Sequence, residues 1–192
     1  MVKLIRNGVV AEDAWQKIEA KTDSTDDQAI ALSAADQLSA LEAFLGEHEA
    51  VLVPLSIWQD KAAKQRLIKY SGQLGLSLGS GEEPQSIAKD AEQIAHDVQR
   101  FDLITIHFEQ FTDGRGYSYG RELRSRYGFK GELRAVGDIG IDQIFYLSRC
   151  GFSAFELADQ KSTDAALAAL STFEITYQSS IEPDLPLFRR RS

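Results

Sequence analysis

Apolar residues in this chain alternate between short runs and runs spaced three or four apart. The short runs are Val51–Leu55, Leu74–Leu78, Leu103–Phe108, Glu132–Val136 and Phe152–Leu157. Each is the length of a strand, and the unbroken apolar character of Val51–Leu55 predicts a buried one. The spaced runs lie between them. Leu38, Leu41, Phe44 and Leu45 mark a helix over 34–45, and Ile57, Trp58, Leu67, Ile68 and Tyr70 mark one over 57–70. Ile87, Ala91, Ile94, Ala95 and Val98 follow Pro84, which favours a helix start. Leu123 and Tyr127 mark the next helix. Ile141, Ile144, Phe145 and Ser148 share a face of a helix beginning at Asp138. Ala166, Leu170, Phe173 and Tyr177 mark a last helix over 163–178. Ala29–Leu32 reads as a further short strand.

This rhythm predicts an α/β fold, a mainly parallel sheet of five to six βα units joined by right-handed crossovers. That is too few units for a closed eight-unit barrel, leaving an open sheet or an incomplete barrel. Asn7-Gly8 between Lys3-Leu4-Ile5-Arg6 and Val9-Val10 predicts a hairpin, because both turn positions tolerate positive φ. Glu12 to Lys17 reads as a helical turn holding Trp15, and the Asp-, Ser- and Thr-rich 21–28 as a linker. The expected organisation is an N-terminal hairpin appendage and linker over 1–28, an α/β domain over 29–180, and a flexible basic tail over 181–192 that contains Arg189-Arg190-Arg191.

Charge narrows the partners. The 192 residues carry a formal charge of −8, which disfavours nucleic acid and anionic membranes. Residues 109–134 run against this trend, with six basic and four acidic side chains. A locally positive stretch in an acidic body suits a small anion. One cysteine, Cys150, and three separated histidines, His48, His96 and His107, give no spacing for an Fe–S or zinc site within one chain, and the cofactor is unknown. No run reaches the roughly 18 apolar residues of a membrane span. The first residues lack a signal-peptide pattern, so the cytoplasm is the expected compartment.

In parallel α/β proteins ligands gather at the carboxyl ends of strands. Three such ends stand out. The first is Phe111-Thr112-Asp113-Gly114-Arg115-Gly116-Tyr117-Ser118. Its glycines permit a sharp turn and close approach, Ser118 is placed to cap the next helix, and Arg115 and Arg121 with that helix N-terminus could hold a carboxylate, sulfate or phosphate. A plain turn in which Asp113 pairs with Arg115 explains the same residues. It is neither a Walker loop nor a GxGxxG fingerprint. The second end is Asp138 after Gly137, an acid/base group, a metal ligand or a helix cap. The third is a polar set at alternate strand positions, Thr105, His107, Arg134 and Glu156. These would line the lumen of a barrel-like sheet, or form a buried Arg134–Glu156 pair. Cys150, at a helix C-terminus, reads as structural rather than nucleophilic.

The stretch 111–118, together with Gly131-Glu132-Leu133-Arg134-Ala135-Val136-Gly137-Asp138 and Arg149-Cys150-Gly151-Phe152, resembles an uncharacterised bacterial family, domain of unknown function 934. The likeness spans roughly 50–178 and the N-terminal hairpin with Trp15. Glu109 and Gly140 depart from the family's usual pattern. The resemblance implies a genomic setting beside assimilatory sulfite reductase and phosphoadenylylsulfate reductase. Some members carry the label oxidoreductase, and the family has no established catalytic residues. The leading expectation is an accessory protein of sulfite reduction, binding sulfite reductase, another sulfur-assimilation enzyme or a small anion. The alternatives are an enzyme on a small anionic metabolite, with Asp138, His107 or Glu156 moving a proton, and an oxidoreductase that borrows its cofactor. Whether the chain is an enzyme stays open. The ligand contacts would fall to Asp113, Gly114, Arg115, Gly116, Tyr117, Ser118, Arg121 and Arg134.

Overall fold

A computed structural model describes residues 3–18, 34–158, 161–172, 179–181 and 189. The strand expected at Ala29–Leu32, the end of the helix over 173–178 and most of the basic tail lie outside these residues. The elements in chain order are β1 (Lys3–Arg6), β2 (Val9–Ala11), β3 (Gln16–Lys17), α1 (Ala34–Glu47), β4 (Ala50–Pro54), α2 (Leu55–Gln59), α3 (Lys61–Leu67), β5 (Gln73–Leu78), α4 (Ala91–Val98), β6 (Leu103–Phe108), α5 (Arg115–Ser125), β7 (Glu132–Gly137), α6 (Ile144–Arg149), β8 (Ala154–Leu157) and α7 (Thr163–Leu170). Short 3-10 turns at Pro84–Ile87 and Ile141–Gln143 precede α4 and α6.

All eight strands form one sheet in the order β2-β1-β8-β7-β6-β5-β4-β3. Strands β3 to β8 are parallel and adjacent in chain order, while β1 pairs antiparallel with β8 and β2 with β1. Because the order never reverses, no switch-point crevice forms, and same-handed crossovers place the helices on one face. The core follows this rule. Val51, Val53, Leu74, Leu76, Ile104, Ile106, Leu133, Ala135 and Phe155 alternate along their strands and pack in one apolar cluster with helix residues such as Leu41, Trp58, Ile94, Leu123, Leu147 and Ala166.

The other face is concave. A flat sheet would set β3 and β8 five strand spacings apart, about 24 Å. Yet Lys17 Nζ on β3 lies 3.5 Å from Glu156 Oε2 on β8. The sheet therefore curls into a half-barrel, the incomplete-barrel alternative rather than a flat open sheet. The count of five to six βα units falls short of eight strands because it omits those made by residues 3–17.

Those residues work at both edges. Asn7 and Gly8 have φ of 50° and 77°, the two positive values a tight hairpin needs. The helical turn expected over 12–17 is absent. Residues 12–15 have no regular structure, and Gln16–Lys17 pairs with Val51–Leu52. Asp13, Trp15 and Lys17 cross the concave face, where a helix would have turned some of them away. The helix expected over 57–70 is divided at Asp60, whose carboxylate accepts from the backbone N–H of Ala62 and Ala63 and so starts α3.

Candidate functional site

The carboxyl ends of β5 to β8 form a rim, and the loops on it are tied to one another. Ser80 Oγ donates to Glu109 Oε2 at 3.1 Å, joining the loop after β5 to the loop after β6. Phe111 N–H donates to Asp138 Oδ2 at 3.2 Å, and Gln143 Nε2 donates to Phe111 O at 2.6 Å, joining the loops after β6 and β7. Lys161 Nζ lies 3.5 Å from Asp138 Oδ1 and donates to Ile139 O, adding the segment after β8. Gly137 makes the crossing possible. Its φ of +94° turns the chain at the end of β7, where an added Cβ would strike Phe108 O. Asp138 N–H then donates to Phe108 O at 2.8 Å.

The long loop therefore does emerge beside Asp138, but its residues play other parts than the expected ones. Asp113 holds the Arg115 guanidinium through Nε and Nη2 (3.0 and 2.7 Å) and also accepts from Arg115 N–H. Arg115 in return holds the Asp113 carboxyl down at about 2 and is itself raised by that pairing. The positive charge and the first amide of α5 are thus already neutralised inside the loop, as in the plain-turn alternative. Gly114 has φ −79° and open space around it, so its role as a special turn residue is not seen. Gly116 lies within α5 against the Phe108 ring, and Gly120 one turn on meets the Phe152 ring, so these two glycines let the helix sit close on the sheet. Ser118 is not a cap, because α5 begins three residues before it, with Gly114 at the cap position. Tyr117 is half-buried, its ring 5.6 Å from Phe108 and 5.3 Å from Tyr146, and burial pushes its hydroxyl pKa up. Arg121 is exposed on α5. Arg124, three residues on, turns inward and donates to Gly151 O, Phe129 O and Gly131 O.

Asp138 does not cap a helix. The 3-10 turn starts at Ile141, and the N–H at its head, on Gly140, donates to Gln143 Oε1. Asp138 instead supports the neighbouring loop. Thr105, His107, Arg134 and Glu156 do share one face, the concave one, since their strand neighbours Ile104, Ile106, Ala135 and Phe155 face the helices. The expected Arg134–Glu156 pair is replaced. Arg134 meets Glu132 through Nε and Nη2 at 2.8 Å and Asp13 through Nη1 at 3.0 Å, and Glu156 meets Lys17. Glu132 also lies 2.6 Å from Arg6 Nε. His107 is exposed at the top of this face. Cys150 is buried, which raises its thiol pKa, as expected for a structural cysteine. Among the described residues, no three His, Cys, Asp or Glu side chains converge as metal ligands, and no helix is long and apolar enough to cross a membrane.

A family model described as "Bacterial protein of unknown function (DUF934)" matches residues 85–188, just over half of the chain. The chain belongs to this family. No curated protein matches it, and no solved structure does. The family match begins at Gln85, later than the start near residue 50 that the motifs imply, and leaves the N-terminal hairpin outside. It covers β6 to β8, α5 to α7 and most of the rim.

Rim residues that sequence reasoning passed over are Phe111, Gln143, Tyr146 and Lys161. Phe111 is 60% and Tyr146 57% exposed, the two exposed large aromatics of the described residues. A phenylalanine set among Gln, Thr, Asp and Gly in a loop was the available signal. Tyr146 gave none, because it falls inside an apolar helical run.

Proposed function

We propose that this chain is an accessory protein of assimilatory sulfate and sulfite reduction that docks an enzyme of that process on its rim. The process rests on the genomic setting that the family resemblance implies. The mode of action rests on one observation: cross-tied loops hold Phe111 out in water, and α6, which follows them, presents Tyr146 exposed as well. An aromatic side chain left exposed costs free energy that burial in a partner recovers, and a loop already rigid loses little entropy on binding. A small anion on Arg115 would have to displace Asp113, so the rim suits a protein partner better than a free anion. An enzymatic role for Asp138 or Glu156 has less support, because Phe111, Lys161 and Lys17 already engage both carboxylates.

The test is direct titration of purified sulfite reductase and phosphoadenylylsulfate reductase with the chain, by calorimetry. Binding is expected for one of them. Phe111→Ser or Tyr146→Ser should weaken it by about 2 kcal/mol, roughly thirtyfold in Kd. No binding by either enzyme, with unimpaired growth on sulfate after deletion of the gene, removes the proposal.

A further inference from the structure

The concave face holds a second feature, independent of the rim. Arg134 is fully buried, yet neither Nη1 nor Nη2 has a well-aligned hydrogen bond, although carboxylates stand at ion-pair distance. A buried guanidinium normally directs its whole fork at acceptors. Asp13 reaches it from a segment with no regular structure, and its side chain is 31% exposed. Beside it, Trp15 lies against Gly75, where an added Cβ would come within 3.0 Å of the indole. Between these points Thr105 Oγ1 donates to Ser77 Oγ at 3.1 Å, while the buried Leu52 and Leu103 complete the floor on the Gly75 side.

We propose that this floor is a ligand site, and that Asp13 and Trp15 occupy it as an internal substitute. Asp13 stands where a ligand's anionic oxygens would meet Arg134, and Trp15 where its flat ring would lie over Gly75. The ligand class is a planar aromatic carboxylate or sulfonate. Gly75 and Arg134 are two strands apart, about 10 Å across the sheet, a reach that a bicyclic anion matches. The covering segment is held by few contacts: one unaligned ion pair, the 3.5 Å Lys17–Glu156 contact, two residues of pairing with β4, and Ile18, whose N–H donates to Leu52 O and whose side chain packs on the core. A ligand that displaces it binds with an affinity reduced by the closed fraction.

The probe is 8-anilinonaphthalene-1-sulfonate, which has two ring systems and one sulfonate. Its uncharged relative N-phenyl-1-naphthylamine is the control. Asp13→Asn removes the competing carboxylate at nearly constant volume, and Trp15→Ala removes the competing ring. Each variant should bind the sulfonate about tenfold tighter than the wild-type chain, with no gain for the amine. In the wild-type chain the sulfonate should speed hydrogen exchange in a peptide covering 12–18, where Ile18 N–H donates to Leu52 O. Unchanged sulfonate affinity in both variants, an equal gain for the amine, or unchanged exchange in the wild-type chain overturns the proposal.

Discussion

Replacing Glu132 by glutamine tests how charge is arranged under the curled sheet. Glu132 sits between two arginines, with one oxygen 2.8 Å from Arg134 and the other 2.6 Å from Arg6. Loss of its charge leaves Arg134, at 0% exposure, with Asp13, at 3.0 Å, as its one remaining carboxylate partner among the described residues. Breaking a buried pair by removing one partner costs about 3–5 kcal/mol, because the remaining charge keeps its desolvation penalty. Asp13 touches the same guanidinium, but its side chain is 31% exposed and water can solvate it. Asp13→Asn should therefore cost no more than about 1 kcal/mol. Both substitutions remove one negative charge beside Arg134; Glu132→Gln also releases Arg6, whose side chain is 32% exposed and adds no more than about 1 kcal/mol, so most of the gap is burial. Urea unfolding at neutral pH reads it. With a slope of about 2 kcal/mol per molar, the midpoints should separate by about 1 M or more. Equal midpoints would mean that Arg134 is not desolvated and that the concave face is wetter than its geometry states.

Gly137→Ala should destabilise by about 2 kcal/mol or more, from its positive φ and the collision with Phe108 O, and a thermal melt reads this. Burial pushes the Asp97 carboxyl up, but hydrogen bonds from Lys64, His96 and Gln93 outweigh this and hold it below the usual value. Its contribution to stability is thus present above the unfolded value of about 3.9 and fades as pH falls through the lower folded value. Asp97→Asn should therefore flatten the acid limb of the stability curve measured by urea titration between pH 6 and about 2. Cys150 should resist a thiol reagent at neutral pH until the chain is unfolded, since burial raises its pKa; fast labelling of the native chain would contradict this.

Much of the fold could be read in the chain because its strands are buried on the helix side by short apolar-rich runs. Leu103–Phe108 is a strand with the expected ends, and the Asn7-Gly8 hairpin follows from the turn itself. What escaped reading was long-range. Gln16–Lys17 is too short to carry a strand pattern and is extended only because β4 offers a free edge. The shared face of Thr105, His107, Arg134 and Glu156 followed from alternation, but the partners did not. Asp13 and Lys17 reach them only because the sheet curls, and curvature leaves no mark on periodicity. At the rim, Arg115 faced an anion ligand and Asp113 as rivals, and proximity in the chain favoured the internal carboxylate.

Strand β1 lies on β8 with Ile5 opposite Phe155. The antiparallel end of the sheet therefore joins the first and last strands of the described residues. At about 5–20 residues per second, the 150 residues between them take roughly 8–30 s to emerge from a ribosome. Through that interval Leu4 and Ile5 have no sheet to join, and β8 emerges with a bare side. A truncation that removes the first eleven residues would leave the β8 side open to pairing between molecules.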